Sequence, residues 1–520
     1  MTEVNQKNRK PDGEFDAVNS EALNISEWEW IDAGEVREEE SGNGSVVSFI
    51  EENAADDTLL VFPPGTYSFD SGAEVVGVES FGIMCPGGRA TFTEGEIGEG
   101  GRFLTLGSST DPVDSVFVSG IETDTVQAKL LEIYGSGLIE DIRFTAEKGV
   151  SDVDTTYHIS ARVLDEAKSL TFRNVRMPEG GTYGEPLNDA AGGWYIHDDT
   201  AGTVNFIDCE ASGFPNNGIY ASPPGEEGGQ NGRIRVEGGR FIDNNVAGVR
   251  IGGDSSVVRD ATFRFEDPDP DFEGVRGVYA RNGSGHQIEN NRFETEDGVS
   301  TVDQIRVTSE CRSVSLTDNF HRDDGGVRVL RVSPSDESDR ENRVIVSGME
   351  MRGDASDEEY PIFIERDHTK LDNLVAVQPN RSAMWIDADD CVLKNEDIEV
   401  GGNEVLDQGE RTIRNGVSVN EGDPSTEGVW SGFETLAYER GVSIWNSNES
   451  PQIQYRASPN GEYVRGLSEN DEIESLITEG AEGTAPVSQG DGSLAMQEVG
   501  AGGDGYEQPE DGTFDINLEP

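Results

Sequence analysis

The chain has 520 residues and carries 39 Lys and Arg against 103 Asp and Glu, a formal charge of −64 spread along its whole length. That balance excludes nucleic acid as a partner, because the electrostatic attraction that drives such binding would be reversed. No apolar run reaches the roughly 18 residues a membrane-spanning helix needs, so membrane insertion is not expected either.

Self-repulsion of this size opposes a compact state unless concentrated salt screens it; the Debye length is about 3 Å at 1 M. The composition therefore points to a halophilic protein, and only seven of the 39 cations are Lys. Disorder is the other outcome open to an acidic, hydrophobe-poor chain, but the regular strand pattern below argues against it for most of the length.

Residues 1–44 read as an N-terminal extension in which Met1 to Asp16 shows no apolar leader and no twin-arginine signal. Ser45 to Asp57 (SVVSFIEENAADD) has helical spacing and precedes LLVFPPGTY, Leu59 to Tyr67. An amphipathic helix placed there would cover the open end of a solenoid, an edge that otherwise invites aggregation.

A six-residue pattern then recurs: apolar, any, Asn/Asp/Gly, small or apolar, any, and often Phe. It begins at Val118, Ile139, Phe172, Phe206, Val236, Val258, Ile288, Leu316, Val346, Leu371 and Leu393. The steps between starts vary while the motif stays constant, as in a solenoid whose coils keep strands in register and absorb insertions at turns. Asn, Asp or Gly at the third position suits a left-handed bend. Alternation around it sends one residue inward and the next outward. The fold expected is all-β, a single-stranded right-handed parallel β-helix over residues 45–400 with an N-terminal capping helix.

The ladder fades beyond Gly401. Residues 401–465, with Trp430 and Trp445, read as a less regular C-terminal cap or oligomer contact, and 466–520 as an acidic, Gly-rich, extended or mobile tail.

The helix, the Pro-Pro-Gly-x-Tyr turn and the ladder together resemble the pectate-lyase-like β-helix superfamily from about Ser45 to Val400. GFPNNGIYA (213–221) and NNVAGVRIGG (244–253) are similar to haloarchaeal β-helix proteins. The Asp-rich and His motifs of polygalacturonases are not present in order, and no pectate-lyase Arg motif is recognisable, which counts against catalysis. The lack of a visible export leader and the tail-spike-like architecture point to a location outside the cell or on a virion surface, and, by analogy with tail spikes of this fold, to a homo-oligomer, a trimer among the options, or virion neighbours as assembly partners.

Each repeat also contains an apolar-X-apolar triplet whose X must face out. Read in order, X is Glu132, Arg162, Tyr195, Tyr220, Arg250, Tyr279, Arg306, Arg328, Phe363 and Trp385. Stacked about 4.8 Å apart, these side chains would form one track. Aromatic faces pack on pyranose rings and Arg presents a planar fork to carboxylates or sulfates, so the natural ligand is an acidic polysaccharide or surface glycan. The same stripe also fits a plain sheet, since strands favour aromatics and Arg can pair with acids of the next coil. Asn216-Asn217, Asn244-Asn245 and Asp323-Asp324, in the turns before three of these strands, read as rung-to-rung hydrogen-bonded ladders, with Gly218, Gly248 and Gly326 following.

Catalysis would need grouped carboxylates. The candidates are Asp198 and Asp199 with His197, then Asp208 and Asp243; in a lyase, Arg250 is the best-placed base. No cofactor is implied. Asp267, Asp269 and Asp271 could offer oxygen ligands to a structural calcium ion, although the intervening prolines rule out an EF-hand loop. The five histidines lack metal-ligand spacing. Cys85, Cys209, Cys311 and Cys391 show no CxxC pairing and read as buried or free thiols. The leading expectation is a non-catalytic β-helix protein that binds anionic glycans for attachment; the alternative is a polysaccharide lyase or glycoside hydrolase using the same face.

Overall fold

The third position of each repeat decides the path of the chain. In the computed structural model all eleven of these residues have positive φ: Gly120, Asp141, Asn174, Asp208, Gly238, Asp260, Asn290, Asp318, Gly348, Asn373 and Asn395, between 51° and 75°. One left-handed residue turns the strand before it into the strand after it, at a site where Asn, Asp and Gly pay the least steric penalty. Side chains link neighbouring corners: Asn290 Nδ2 donates to Asp260 Oδ1 at 2.5 Å, and Asn174 Nδ2 donates to Asp141 Oδ1.

The structure describes residues 23–36 and 45–414, apart from 98–100, 150–155, 184–189, 273, 300–302, 340, 357–359, 404 and 410–411; beyond these it describes the backbone of strands 417–420, 442–447, 450–456, 463–465, 484–488 and 494–498. The chain divides into two compact units, Met1–Arg331 with Gly353–Ala355, and Val332–Arg352 with Ser356–Pro520.

In the first unit successive coils build three parallel ladders. Sheet 1 includes Ser169–Arg173, Thr203–Ile207, Arg233–Glu237 and Val257–Arg259. Sheet 2 follows the left-handed corner with Arg176–Met177, Glu210–Ser212, Arg240–Ile242 and Thr262–Phe265. Sheet 3 holds Gly192–Ile196, Asn217–Ala221, Ala247–Ile251, Arg276–Ala280 and Asp303–Val307. This is the right-handed parallel β-helix. Its interior stacks like on like. The sixth motif position gives Phe241, Phe263, Phe293 and His321, with ring centroids 5.3, 4.8 and 4.8 Å apart. His321 sits in this column as a neutral ring, because burial pushes its pKa down to about 3. Its Nδ1 donates to Gln304 Oε1 at 2.7 Å.

The helix spans Val46–Asn53 and buries Val46, Val47 and Ile50. It packs on the first coil through Phe49 against Phe62, whose ring meets Tyr67 at 5.0 Å and Phe92 at 5.4 Å. The stack begins earlier than residue 45, since Glu29–Asp32 pairs in parallel with Thr58–Val61. Trp28 and Ile25 anchor that strand on an apolar patch of Leu59, Met84, Phe117 and Leu138. All four cysteines are buried.

The second unit repeats the coil. Its ladders are Val344–Ser347 with Lys370–Asp372 and Val392–Lys394, Glu350–Arg352 with Val375–Gln378 and Asp397–Val400, and Ile362–Ile364 with Met384–Ile386 and Val405–Asp407. One further coil is therefore present past residue 400. Thr412–Arg414 meets Val417–Asn420 in antiparallel fashion, Val417–Asn420 pairs in parallel with Val442–Ser447, and that strand forms an antiparallel hairpin with Ser450–Arg456. Within the acidic segment expected to be a tail, Thr484–Ser488 pairs with Leu494–Glu498. Trp430 and residues 1–22 lie outside the described residues, as does the side chain of Trp445.

The corner gives a direct test. Asp318 has φ 53°. Asp318→Val should lower stability by about 1–2 kcal/mol more than Asp318→Gly, because only the branched side chain resists the left-handed well. Denaturant melts of both variants in concentrated salt measure the difference; equal midpoints would refute the role of the corner.

Candidate functional site

Sheet 3 of the first unit alternates inward and outward residues, and its fourth strand position is the outward one: Tyr195, Tyr220, Arg250, Tyr279 and Arg306. The ladder registers them directly, Tyr195 to Tyr220, Tyr220 to Arg250, Arg250 to Tyr279 and Tyr279 to Arg306. They touch as well as align. Tyr195 and Tyr220 meet edge to face at 5.3 Å, and the Arg250 guanidinium lies 4.4 Å from the Tyr220 ring centroid and 5.5 Å from that of Tyr279. Tyr157 packs beside them, 5.3 Å from Tyr195.

Arg162 is not in this file. The residue in register with Tyr195 is Ser160, which pairs in turn with Glu132. Arg162 instead pairs with Tyr134 and stacks 4.3 Å over its ring. Ile159-Ser160-Ala161 and Ala161-Arg162-Val163 both satisfy the outward pattern, and a period of two cannot choose between them. Arg328 is displaced in a similar way. In Arg328–Val332 the exposure pattern matches Arg276–Ala280, so Arg331 occupies the fourth position and Arg328 the first. In the second unit Phe363 and Trp385 stand in register with their rings 3.8 Å apart.

A cleft of about 700 Å³ opens over this sheet, with Arg102, Lys129, Tyr157, Tyr195, Tyr220 and Arg250 on its walls. At its base is Glu132, only 3% exposed. Lys129, 2% exposed, reaches it at 2.5 Å and also donates to Ser160 Oγ at 2.7 Å. Arg162 Nη1 donates to the same carboxylate, and Arg102 Nε lies 3.4 Å away. Burial alone would raise the Glu132 pKa, but Lys129 and then Arg162 outweigh it and hold it at about 2. Lys129 is lowered by the same burial, against the pull of Glu132.

His197, Asp198 and Asp199 separate into different roles. Arg162 Nη2 donates to His197 Nδ1 at 2.9 Å, so that nitrogen is an acceptor and the ring proton sits on Nε2. Burial, reinforced by Arg162, pushes the His197 pKa down to about 3, so the ring is neutral, not imidazolium, at neutral pH. Asp199 Oδ1 pairs with Arg162 Nε at 3.4 Å, and Asp198 is exposed. Arg162 thus spends its whole fork on Glu132, His197 and Asp199. Arg250 does not: its Nε finds no hydrogen-bond partner among the described residues, and its nearest acid, Glu226, is 3.8 Å from Nη2.

Farther along the sheet a second buried acid gathers cations. Asp303, 3% exposed, accepts from Arg328 Nε at 2.6 Å and lies 3.6 Å from both Arg276 and Arg306. Arg276 is tied down further, donating to the Val246 and Gly274 carbonyls. Sequence reading missed Lys129, Arg102 and Asp303. The available signal was a Lys and a Glu inside the apolar strand AKLLEIYG, where lone charges do not survive burial.

In the doublets before sheet 3, Asn217 Nδ2 donates to Asn216 Oδ1, and the others make bonds to main chain. Asn244 Nδ2 donates to the Ala211 carbonyl and Asn245 Nδ2 to that of Pro215, while Asp323 accepts from the Gly326 and Val327 amides. The Asn-to-Asn contact between coils lies instead at Asn291 and Asn319, inside the corner. Asp243 binds the Glu266 and Asp267 amides, and Asp208 is a corner residue. Asp269 accepts the Asp271 amide, and among the described residues no three His, Cys, Asp or Glu side chains converge as metal ligands.

Glu132 links the cleft to stability with a definite sign. Its folded pKa, about 2, lies below the ordinary 4.5, so its contribution is complete above pH 4.5 and is lost as pH falls toward 2. Glu132→Gln should destabilise the protein at neutral pH by about 3 kcal/mol or more, by leaving Lys129 and Arg162 buried without their acid. It should also flatten the fall in melting temperature over that acid window. An unaltered acid limb would show that the cations do not depend on Glu132.

No family model matches the chain, and no curated protein matches it in sequence. Among solved structures it is similar to the Streptococcus pneumoniae surface protein and adhesin PfbA, at 14% identity over 71% of this chain and 94% of that one, with a TM-score of 0.35. It is also similar to ORF18 of Geobacillus virus E2, at 10% identity over 89% and 79% with a TM-score of 0.32. The receptor binding domain of the siphovirus 9NA tailspike aligns at 11% identity over 92% and 99%, with a TM-score of 0.25. Likeness at this level bears on neither ligand nor activity.

Proposed function

We propose that sheet 3 of the first unit is a binding face for anionic glycans, and that the protein serves attachment at a cell or virion surface in concentrated salt rather than turnover. The observation that carries this reading is the registered file Tyr195, Tyr220, Arg250, Tyr279 and Arg306, in a chain with far more acids than bases. Rings in such a file offer flat apolar faces to sugar rings, and the Arg250 fork, stacked but not saturated by acids, offers donors to a carboxylate or sulfate. Phe363 and Trp385 would add a second aromatic contact in the other unit. The contacts of His197 Nδ1 and Asp199 with Arg162 favour a framework role over proton transfer.

Titrating the full chain with polygalacturonate and with chondroitin sulfate in molar potassium chloride tests the reading. Arg250→Ala and Tyr220→Ala should each weaken binding by about 10- to 100-fold, while Arg240→Ala, an exposed cation on sheet 2, should not. Absence of binding to both polymers would overturn the proposal. Release of new reducing ends or unsaturated uronates, lost in Asp199→Asn or Arg250→Ala, would replace it with a glycoside hydrolase or lyase.

A further inference from the structure

Two features of sheet 3 share a construction that the single file of outward residues does not explain. At one end Lys129, Arg102 and Arg162 surround the buried Glu132; at the other Arg276, Arg306 and Arg328 surround the buried Asp303. In each the carboxylate is 3% exposed, and apart from the buried Lys129 the cations around it are partly exposed, from 14% at Arg162 to 41% at Arg102. Asp199 offsets part of the first cluster, and no second acid is paired with the Asp303 group among the contacts described. Both therefore leave net positive charge on a strongly acidic molecule. Pinning by a buried acid also removes the rotamer freedom that long cations otherwise lose on binding.

The ladder gives the separation. Glu132 pairs with Ser160, Ser160 with Tyr195, and the file continues through Tyr220, Arg250 and Tyr279 to Arg306, on the same strand as Asp303. Six coil steps at about 4.8 Å place the two buried acids on the order of 29 Å apart, and four steps separate the strands of Arg162 and Arg276, about 19 Å. Between them lie Tyr195, Tyr220, Arg250 and Tyr279.

Resting on the glycan-binding reading above, we infer that the two clusters are separate anion subsites that one polyanionic glycan bridges, lying along the coil axis with its middle sugars on the tyrosines. Its anionic groups are carboxylates or sulfates, to either of which the same guanidiniums can donate. Such a face selects for length. A fragment too short to span both clusters binds one end, and a chain long enough to reach both gains the second contact as an intramolecular event.

The experiment measures affinities of the full-length protein for a graded series of fluorescent oligogalacturonides, and for a matching series of chondroitin sulfate oligosaccharides, in potassium chloride. The two arms identify the anion. In whichever arm binds, affinity should rise by about 10²-fold once the oligosaccharide spans the clusters and then level off. Arg306→Gln combined with Arg328→Gln should compress that long-to-short ratio to within a few-fold, and Arg306→Lys with Arg328→Lys, which keeps the charge, should restore most of it. Affinity independent of length, or a ratio left intact by the Gln pair, would overturn the inference while leaving a binding face in place. Failure of every oligosaccharide in both arms would instead remove the reading on which it rests.

Discussion

One left-handed residue per coil, placed between sheet 1 and sheet 2, governs the rest of the structure. Because each corner consumes a single residue in a fixed conformation, the strands on both sides keep a constant phase, and an inward position on one coil lies over an inward position on the next. Insertions elsewhere are then harmless. The column of Phe241, Phe263, Phe293 and His321 follows from that phase, and so does the file of outward residues on sheet 3.

Phase also explains how an acidic chain comes to present a cationic face. In a parallel ladder identical positions are neighbours, so a strand position that holds Arg in several coils becomes a line of Arg, whatever the overall charge. Such a line would repel itself. The chain relieves this in two ways: by interleaving tyrosines, over which Arg250 and Arg306 lie, and by burying Glu132 and Asp303 beneath the densest groups. These acids are costly to bury unless paired, and each is paired more than once.

The parts legible from sequence were those that follow from local sterics. Every third-position Asn, Asp or Gly of the repeat marked a true corner, and the helix over Val46–Asn53 was visible in its apolar spacing. Register was less legible. Alternation separates inward from outward residues but not one outward residue from the next on the same strand, which is why Arg162 read as a member of the file when Ser160 holds that place, and Arg328 when Arg331 does. Long-range pairing was invisible: nothing local in KLLE announces that Lys129 and Glu132 will share a buried site with Arg162. The strand Glu29–Asp32 was hidden similarly, since its partner lies beyond the helix that separates them.

Concentrated salt, the setting proposed for this protein, would constrain how such a face can recognise anything. With a Debye length of about 3 Å at 1 M, long-range attraction between a cationic stripe and a polyanion is extinguished, and only groups in contact interact. Steering by net charge then contributes little, so affinity must come from surfaces already in place when the ligand arrives. Stacked rings supply one such surface, insensitive to ions. Guanidiniums fixed by buried carboxylates supply the other, because their geometry is set by the fold and not by the ligand. On the proposed reading the same screening would make the −64 charge of the chain tolerable to a polyanion, whose sugars would meet Tyr and Arg at contact distance while the acids on the other faces lay beyond the reach of their fields.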